Sequence, residues 1–491
     1  MTMDLLQALV TGALAGVVGL ILYWSIPDGK DGRTPMPPRG YGLPFIGDTF
    51  AAIAKGPRDS GLPHHQRLGS IYRTWFVGEQ LIHVGDLDSV RYILNAEHDL
   101  VEGHFPYVIR KILGSRGIST LHGKAHTQLR KILVPALSPK VATKYIPRTV
   151  ELAESACAEC AKANKMKGED GMKAFTFQVA TELILGFPEN FINKEILSRQ
   201  QHLWTECLDG FFCVPINLPG FAFHKAMLAR EAILADYRDN ILRLIANADK
   251  SAEGLQSPLE TYIQASKTLE DCPTDMEHYM NIAFNLLFAG HDTSASALTL
   301  LLRYLKQQPE VLESLREEQR QVTQQHGKEF SATSLGAMPY ADATIKEALR
   351  FIPIATAVGR KAVKTFEVGG YTIPKGYNIQ LELWKVLEDD PRWTHGASPE
   401  MPPSKFNPNR WLSEEGRRTG SWIPFGSGPR MCVGYVFALQ EMKIMLAVLA
   451  RGYDWHVDLT EPIKNFPLSL PSWGLPMTFH KLDSPAVGRE E

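Results

Sequence analysis

The residue types best suited to chemistry crowd into one short stretch, Pro424-Phe425-Gly426-Ser427-Gly428-Pro429-Arg430-Met431-Cys432-Val433-Gly434. Glycines at 426, 428 and 434 let a backbone turn tightly and approach a flat ligand closely. Cys432 stands just before an apolar helical run, YVFALQEMKIMLAVLA, so backbone N–H groups near its sulfur would favour thiolate over thiol. Arg430 offers a planar fork for a carboxylate. A second group, His291-Asp292-Thr293, interrupts a strongly apolar segment. A buried polar cluster costs energy unless it is paired, so it is either a structural network or a site. An adjacent acid and hydroxyl can relay protons, or Thr293 can simply bond back to a helix carbonyl. Glu347 and Arg350 are spaced i,i+3, which by itself describes an ordinary solvated helix face.

Taken together, Phe-Gly-x-Gly-x-Arg-x-Cys-x-Gly at 425–434, Glu-x-x-Arg at 347–350, FNPNRW at 406–411 and AGHDT at 289–293 resemble the cytochrome P450 family of haem-thiolate monooxygenases. The resemblance implies haem b, O2 and electrons from NADPH through a reductase. It makes Cys432 the axial ligand of the haem iron, with Phe425, Gly426, Gly428, Arg430 and Gly434 forming the haem-binding loop. It implies a buried ion network of Glu347, Arg350 and Arg410 behind the haem. It assigns Asp292 and Thr293 to a catalytic proton relay, beside a Gly–Thr break in the central helix that opens space for dioxygen. His126 and Arg130 fall where many family members carry Trp-x-x-x-Arg to hold the haem propionates. The chain departs from that pattern at His126, which can still donate to a propionate, and Arg360 is a third candidate. By family position the substrate pocket takes the 101–118 loop, Phe284, Phe288, Ala289, Ile354, Ala355, Val358 and Leu468, a mostly apolar set. Read alone, an apolar helix residue such as Phe284 is core.

The segments VGRKAVKTFEVGGYTIPKGYNI (358–379) and VPINLPGFAFHKAMLAR (214–230) are similar to retinoic-acid, abscisic-acid and brassinosteroid hydroxylases. That similarity implies hydroxylation, or successive oxidations, of an isoprenoid-derived or prenyl-bearing small molecule, as in isoprenoid or secondary metabolism. The implied partners are NADPH–cytochrome P450 reductase, with cytochrome b5 as an accessory donor. Lys124, Lys131, Arg417, Arg418 and Lys443 are candidates for docking an acidic reductase face. The alternatives are a haem-thiolate isomerase or dehydratase that needs no O2, and a non-catalytic haem sensor or lipid carrier.

The elements that must position these residues are mostly helical. The fold class expected is mostly α (α+β), a P450 fold with a long central helix over a buried haem and small β-sheets. Strand-like runs occur at 70–84 and 366–381, and helical periodicity dominates elsewhere. The central helix is expected from about Thr274 to Gln308, with a Thr274/Glu277 capping box and Pro309 at its end. Before the globular body, Leu5–Ile26 carries no charge over 22 residues, enough for a helix to span a bilayer core. Lys30, Arg33 and Arg39 follow it. That order favours a single-pass anchor over a cleaved signal peptide and keeps the bulk of the chain cytosolic, at the endoplasmic reticulum. The organisation expected is an anchor at 1–27, a Pro/Gly-rich hinge at 28–50 and a haem-thiolate domain at 51–491. With 52 basic and 54 acidic residues among 491, the chain has no global pull toward nucleic acid. Six cysteines in so long a chain do not make a disulfide scaffold, and the Cys157/Cys160 pair lacks a second ligand pair at zinc spacing.

Overall fold

The computed structural model describes residues 16, 19 and 34–483, apart from 44, 212, 249–255, 270, 271, 394–401 and 415–419. The expected anchor at 1–27, Arg417 and Arg418 therefore lie outside the described residues, Gly16 and Gly19 excepted. Among the described residues, no helix is long and apolar enough to cross a membrane. The chain forms two compact units, one running up to Glu102 and including Ala357–Glu382, the other made of Gly103–Thr356 and Leu383 onward.

The smaller unit is organised by a mixed sheet. Strand Ile71–Phe76 pairs antiparallel with Glu79–Val84, which runs parallel to Asn378–Leu381. Val358–Ala362 follows antiparallel, and Val101–Gly103 lies at the far edge. The first hairpin closes through Val77 and Gly78, both at positive φ (49° and 79°), the backbone a tight two-residue hairpin turn requires. The proline-rich hinge is not a free spacer over its described part. Gly40 donates to the Arg73 carbonyl at 2.7 Å and Arg73 to that of Pro38 at 2.9 Å, so the segment lies along the first strand. Behind the sheet, the buried Glu382 carboxylate takes His83 Nδ1 at 2.7 Å and is also bonded by His65 Nε2.

The larger unit is helical around one long central helix, Met276–Gln307, of 32 residues, about 48 Å at 1.5 Å per residue. Its N-cap is Asp275, whose side chain accepts from His278 N at 2.9 Å, not the expected Thr274/Glu277 box. An Asp one residue later supplies a better-placed acceptor for the orphan N–H groups. Pro309 opens the next helix, Pro309–His326, at a position where its missing N–H costs nothing. The central helix is apolar nearly all round and is enclosed by Gly168–Val179, Ala222–Asn247, Pro339–Phe351 and Tyr435–Gly452. A three-stranded sheet, Lys165–Lys167, Pro476–Lys481 and Tyr453–Val457, closes one side.

Candidate functional site

The Cys432 loop is built from its glycines. Gly426 and Gly428 both sit at φ 69°, a region that disfavours other residues, and a Cβ on Gly426 or Gly434 would meet nothing within 4 Å. One face of the loop is thus flat and free of side-chain bulk. Cys432 N donates to the Phe425 carbonyl at 3.0 Å, closing the turn, and the helix Tyr435–Gly452 begins directly after Gly434. Cys432 keeps solvent-accessible area although protein surrounds it, the position of a side chain on the floor of a concavity. Burial pushes its thiol up, while the Gly434 N–H and the nearby Arg130 guanidinium act against that rise. The N–H donor expected from the sequence is present, but burial outweighs it. A metal cation reverses that balance by deprotonating a coordinating thiol outright.

Cations flank the loop. Arg130 donates from Nη1 to the Met431 carbonyl at 2.7 Å, next to the cysteine. Arg430 donates from Nη2 to the Leu121 carbonyl at 2.6 Å, with His122 Nδ1 3.1 Å away. His126 is buried one turn before Arg130 on the Gly123–Ala136 helix. A soft sulfur ligand, a flat glycine face and flanking cations suit an iron porphyrin with its two carboxylates. His122 was not legible as part of this rim, because an exposed His before a helix carries no signal of its own. Arg360 belongs to the smaller unit, where its Nε lies 2.9 Å from Glu97 Oε2.

The Glu-x-x-Arg helix, Pro339–Phe351, presents Glu347 and Arg350 to the interior, both fully buried. Arg350 makes a two-pronged contact, Nε to Oε2 and Nη2 to Oε1, each 2.8 Å. Glu347 also accepts from Asn407 N at 2.9 Å and Trp411 Nε1 at 3.0 Å, and Arg410 Nε lies 3.6 Å away. The structure brings all three expected members together. It adds Trp411, whose indole N–H completes the shell of the carboxylate and whose place in FNPNRW was its only sequence signal.

On the central helix, Ala289 is exposed and Phe288, Gly290 and Thr293 are half-buried, although the helix is otherwise mostly buried. The expected Gly–Thr break is not there. The helix runs unbroken, and Thr293 Oγ1 donates to the Ala289 carbonyl at 2.7 Å instead. Asp292 is buried and points to a different neighbour, with Oδ1 3.6 Å from Lys173 Nζ and Oδ2 3.4 Å from His291 Nδ1. Burial opposes its ionisation, yet His291 and Lys173 together hold its carboxyl below the usual range. Lys173 lies more than a hundred residues away on the Gly168–Val179 helix, where nothing local announces it.

Of the apolar set, Phe288 meets Phe211 edge-on at 5.3 Å, while Ile354 is bonded through its carbonyl to Ser469 N at 3.1 Å, beside the half-buried Ala355 and Leu468. Phe284 is completely buried against Trp204, with ring centroids 4.6 Å apart, and so is core rather than pocket wall. The 101–118 segment is not all loop, since Tyr107–Leu113 is helical. Val358 opens a strand of the smaller unit. Lys443 is held by Asp342 at 2.6 Å, which occupies one of the cations proposed for docking.

The family model described as "Cytochrome P450" matches residues 37–478. Similar proteins include "Cytochrome P450 26A1" of Danio rerio, 33% identical over 461 residues and covering 91% of each chain. "Abscisic acid 8'-hydroxylase 1" of Arabidopsis thaliana is 28% identical over 448 residues, again 91% of each chain. A solved structure described as "Retinoic acid bound cyanobacterial CYP120A1" has a TM-score of 0.79 at 26% identity, covering 91% of this chain and 100% of that one.

Proposed function

Given that this chain belongs to the cytochrome P450 family, and is a monooxygenase of the branch that includes retinoic-acid and abscisic-acid hydroxylases, we propose that it hydroxylates a C–H bond of an isoprenoid-derived small molecule. Bound haem b supplies oxygen activation, using O2 and electrons delivered by a reductase. In this reading Cys432 ligates the iron, Gly426 and Gly434 leave its face clear, and Gly428 at φ 69° shapes the turn. Arg130, Arg430 and His126 neutralise the propionates. Phe288, Ala289, Ile354 and Leu468 orient an apolar substrate and exclude water, and Asp292 with Thr293 moves protons. The intact Asp292–Thr293 pair favours a monooxygenase over an isomerase or a carrier, neither of which needs a relay. The uncharged segment 5–26 acts as a single-pass anchor at the endoplasmic reticulum, with the enzyme facing the cytosol and NADPH–cytochrome P450 reductase as its electron donor.

The observation that carries the reading is the Cys432 loop, where a glycine-shaped face, a backbone donor to sulfur and flanking cations meet. A reduced, CO-bound difference spectrum tests it. Wild type should show the red-shifted Soret band of a thiolate ligand, and Cys432→Ser should abolish it. With a reductase and NADPH, retinoic acid and abscisic acid are the first substrates to offer. Folded protein that binds no haem, or an unchanged band in the variant, would overturn the assignment.

A further inference from the structure

Three tryptophans of the larger unit stand in a line that ends at the Cys432 loop, and the proposed hydroxylation uses none of them. Trp393 meets Trp411 edge-on with ring centroids 5.6 Å apart, and Trp411 meets Trp422 in the same way at 5.9 Å. Trp422 is 5.9 Å from Phe425, whose carbonyl accepts from Cys432 N. Edge-to-face packing accounts for the spacing of these rings. It does not account for the charges set around them. Indole and phenol are the side chains that give up a single electron most readily, and rings in contact can pass that electron along. The charge beside each ring decides where the positive charge left behind settles. Trp411 is buried, and its Nε1–H donates to the Glu347 carboxylate, 3.0 Å from Oε2. Arg350 offsets part of the Glu347 charge, but the indole N–H points at the oxygen itself. Trp422 is half-buried and donates to a neutral acceptor, the Lys346 carbonyl, at 3.1 Å. Trp393 also donates to a carbonyl, that of Val386 at 3.0 Å, and the Arg350 guanidinium stands over its ring, with Cζ 5.5 Å from the centroid. In a low-dielectric interior a carboxylate stabilises a positive charge on the indole beside it, and a guanidinium opposes one. Of the three, Trp411 is therefore the easiest to oxidise, Trp422 is the step between it and the loop, and Trp393 is a poor end point.

We propose that Trp411 and Trp422 form a one-electron outlet of the haem site, through which hydrogen peroxide oxidises Trp411 rather than the Cys432 loop. This goes beyond hydroxylation and rests on the reading of Cys432 as the haem ligand. Hydrogen peroxide takes up two electrons and two solvent protons to give two waters as its O–O bond breaks. One electron is drawn from the bound haem and the other from Trp411, by way of Trp422. The N–H proton of Trp411 passes to Glu347 Oε2 and leaves a neutral indole radical. An electron from the reductase and that same proton then restore the indole.

The test mixes ferric holoenzyme with hydrogen peroxide, in wild type, Trp422→Phe, Trp411→Phe and Trp473→Phe, with the CO spectrum of each as the check of fold and haem. Freeze-quenched samples of protein made with ring-deuterated or ordinary tryptophan are read by electron paramagnetic resonance. Peptide mass spectrometry then locates the residue that has gained oxygen. Wild type should give a radical signal that narrows on deuteration, and its oxidised residue should be Trp411. Trp422→Phe and Trp411→Phe should both lose that signal. Trp473→Phe, which changes an exposed ring outside the line, should keep it. Apoprotein treated alike should show neither signal nor oxidation. Absence of both in wild type would overturn the proposal, as would a signal that survives in Trp422→Phe. A signal that ignores tryptophan deuteration, such as one on the exposed Tyr435, 6.1 Å from Phe425, would overturn it too. If Cys432→Ser keeps the thiolate band, the ligand reading fails, while deuteration and the mass spectrum still decide whether Trp411 is the outlet.

Discussion

Arg350 holds Glu347 in a two-pronged contact with both side chains fully withdrawn from solvent, and each Glu347 oxygen also takes an N–H from the 407–411 turn, Asn407 N on one and Trp411 Nε1 on the other. Arg350 continues outward to the Pro403 carbonyl at 2.9 Å and Arg410 to the Pro402 carbonyl at 3.0 Å. One ion pair therefore fastens the Pro339–Phe351 helix to the chain that leads into the Cys432 loop. Such a pair adds little net stability over an apolar replacement, but breaking it leaves a naked buried charge.

Arg350→Met should therefore destabilise the protein by about 3–5 kcal/mol, the cost of stranding the buried Glu347 carboxylate. Thermal unfolding and the haem-to-protein ratio of purified protein check this, and both should fall together. Trp411→Phe removes one donor and keeps an aromatic ring edge-on to Trp393 and Trp422, so it should cost only about 1–3 kcal/mol.

The smaller unit should show its own acid sensitivity. Burial pushes the Glu382 carboxyl up, but hydrogen bonds and charge from His65 and His83 win and bring it down to about 2. A folded pKa below the ordinary 4.5 contributes stability that is present above pH 4.5 and is lost as pH falls toward 2. The loss should amount to about 3 kcal/mol at most. Glu382→Gln should flatten the dependence of unfolding free energy on pH across that window, and an unchanged slope would count against the cluster.

Gly117 lies so close to Asn285 of the central helix that a Cβ there would collide with the Asn285 amide. That amide donates to the Leu113 carbonyl at 2.8 Å and ties the 113–120 turn to the helix. Gly117→Ala should cost about 1–3 kcal/mol through overpacking. Adding Asn285→Ala should relieve part of that cost, so the double-mutant cycle, measured by denaturant unfolding, should be clearly non-additive.

What the sequence made legible follows from how local each signal is. The Cys432 loop and the Glu347–Arg350 pair are short patterns whose residues act within one turn, so a local reading of the sequence is enough to single them out. The central helix was readable from its apolar run, but its cap shifted by one residue, because Asp275 and Thr274 are equally good cap types and only the entry angle of the chain chooses between them. Phe284 could not be sorted into core or pocket, since the apolar face of a helix looks the same toward Trp204 as toward a ligand. Lys173 and Trp411 were missed as partners because each acts on a carboxylate far away in the chain, through contacts that only packing creates.

Glu441 offers the sharpest contrast with Glu382. It is a buried carboxyl on the Tyr435–Gly452 helix, and burial pushes its pKa up to about 8 against the pull of a hydrogen bond with Ser294, the residue after Thr293. The folded protein therefore holds this proton at neutral pH, while the unfolded chain releases it near 4.5. The stability Glu441 allows is full below 4.5 and falls as pH rises to about 8, where its burial penalty is complete. Glu441→Gln keeps the shape and a hydrogen-bonding amide but cannot ionise. Its stability relative to wild type should grow steadily between pH 4.5 and 8 and level off above, by up to ~5 kcal/mol. Urea unfolding of both proteins at a series of pH values checks this, and parallel curves would show that the carboxyl ionises freely in the fold.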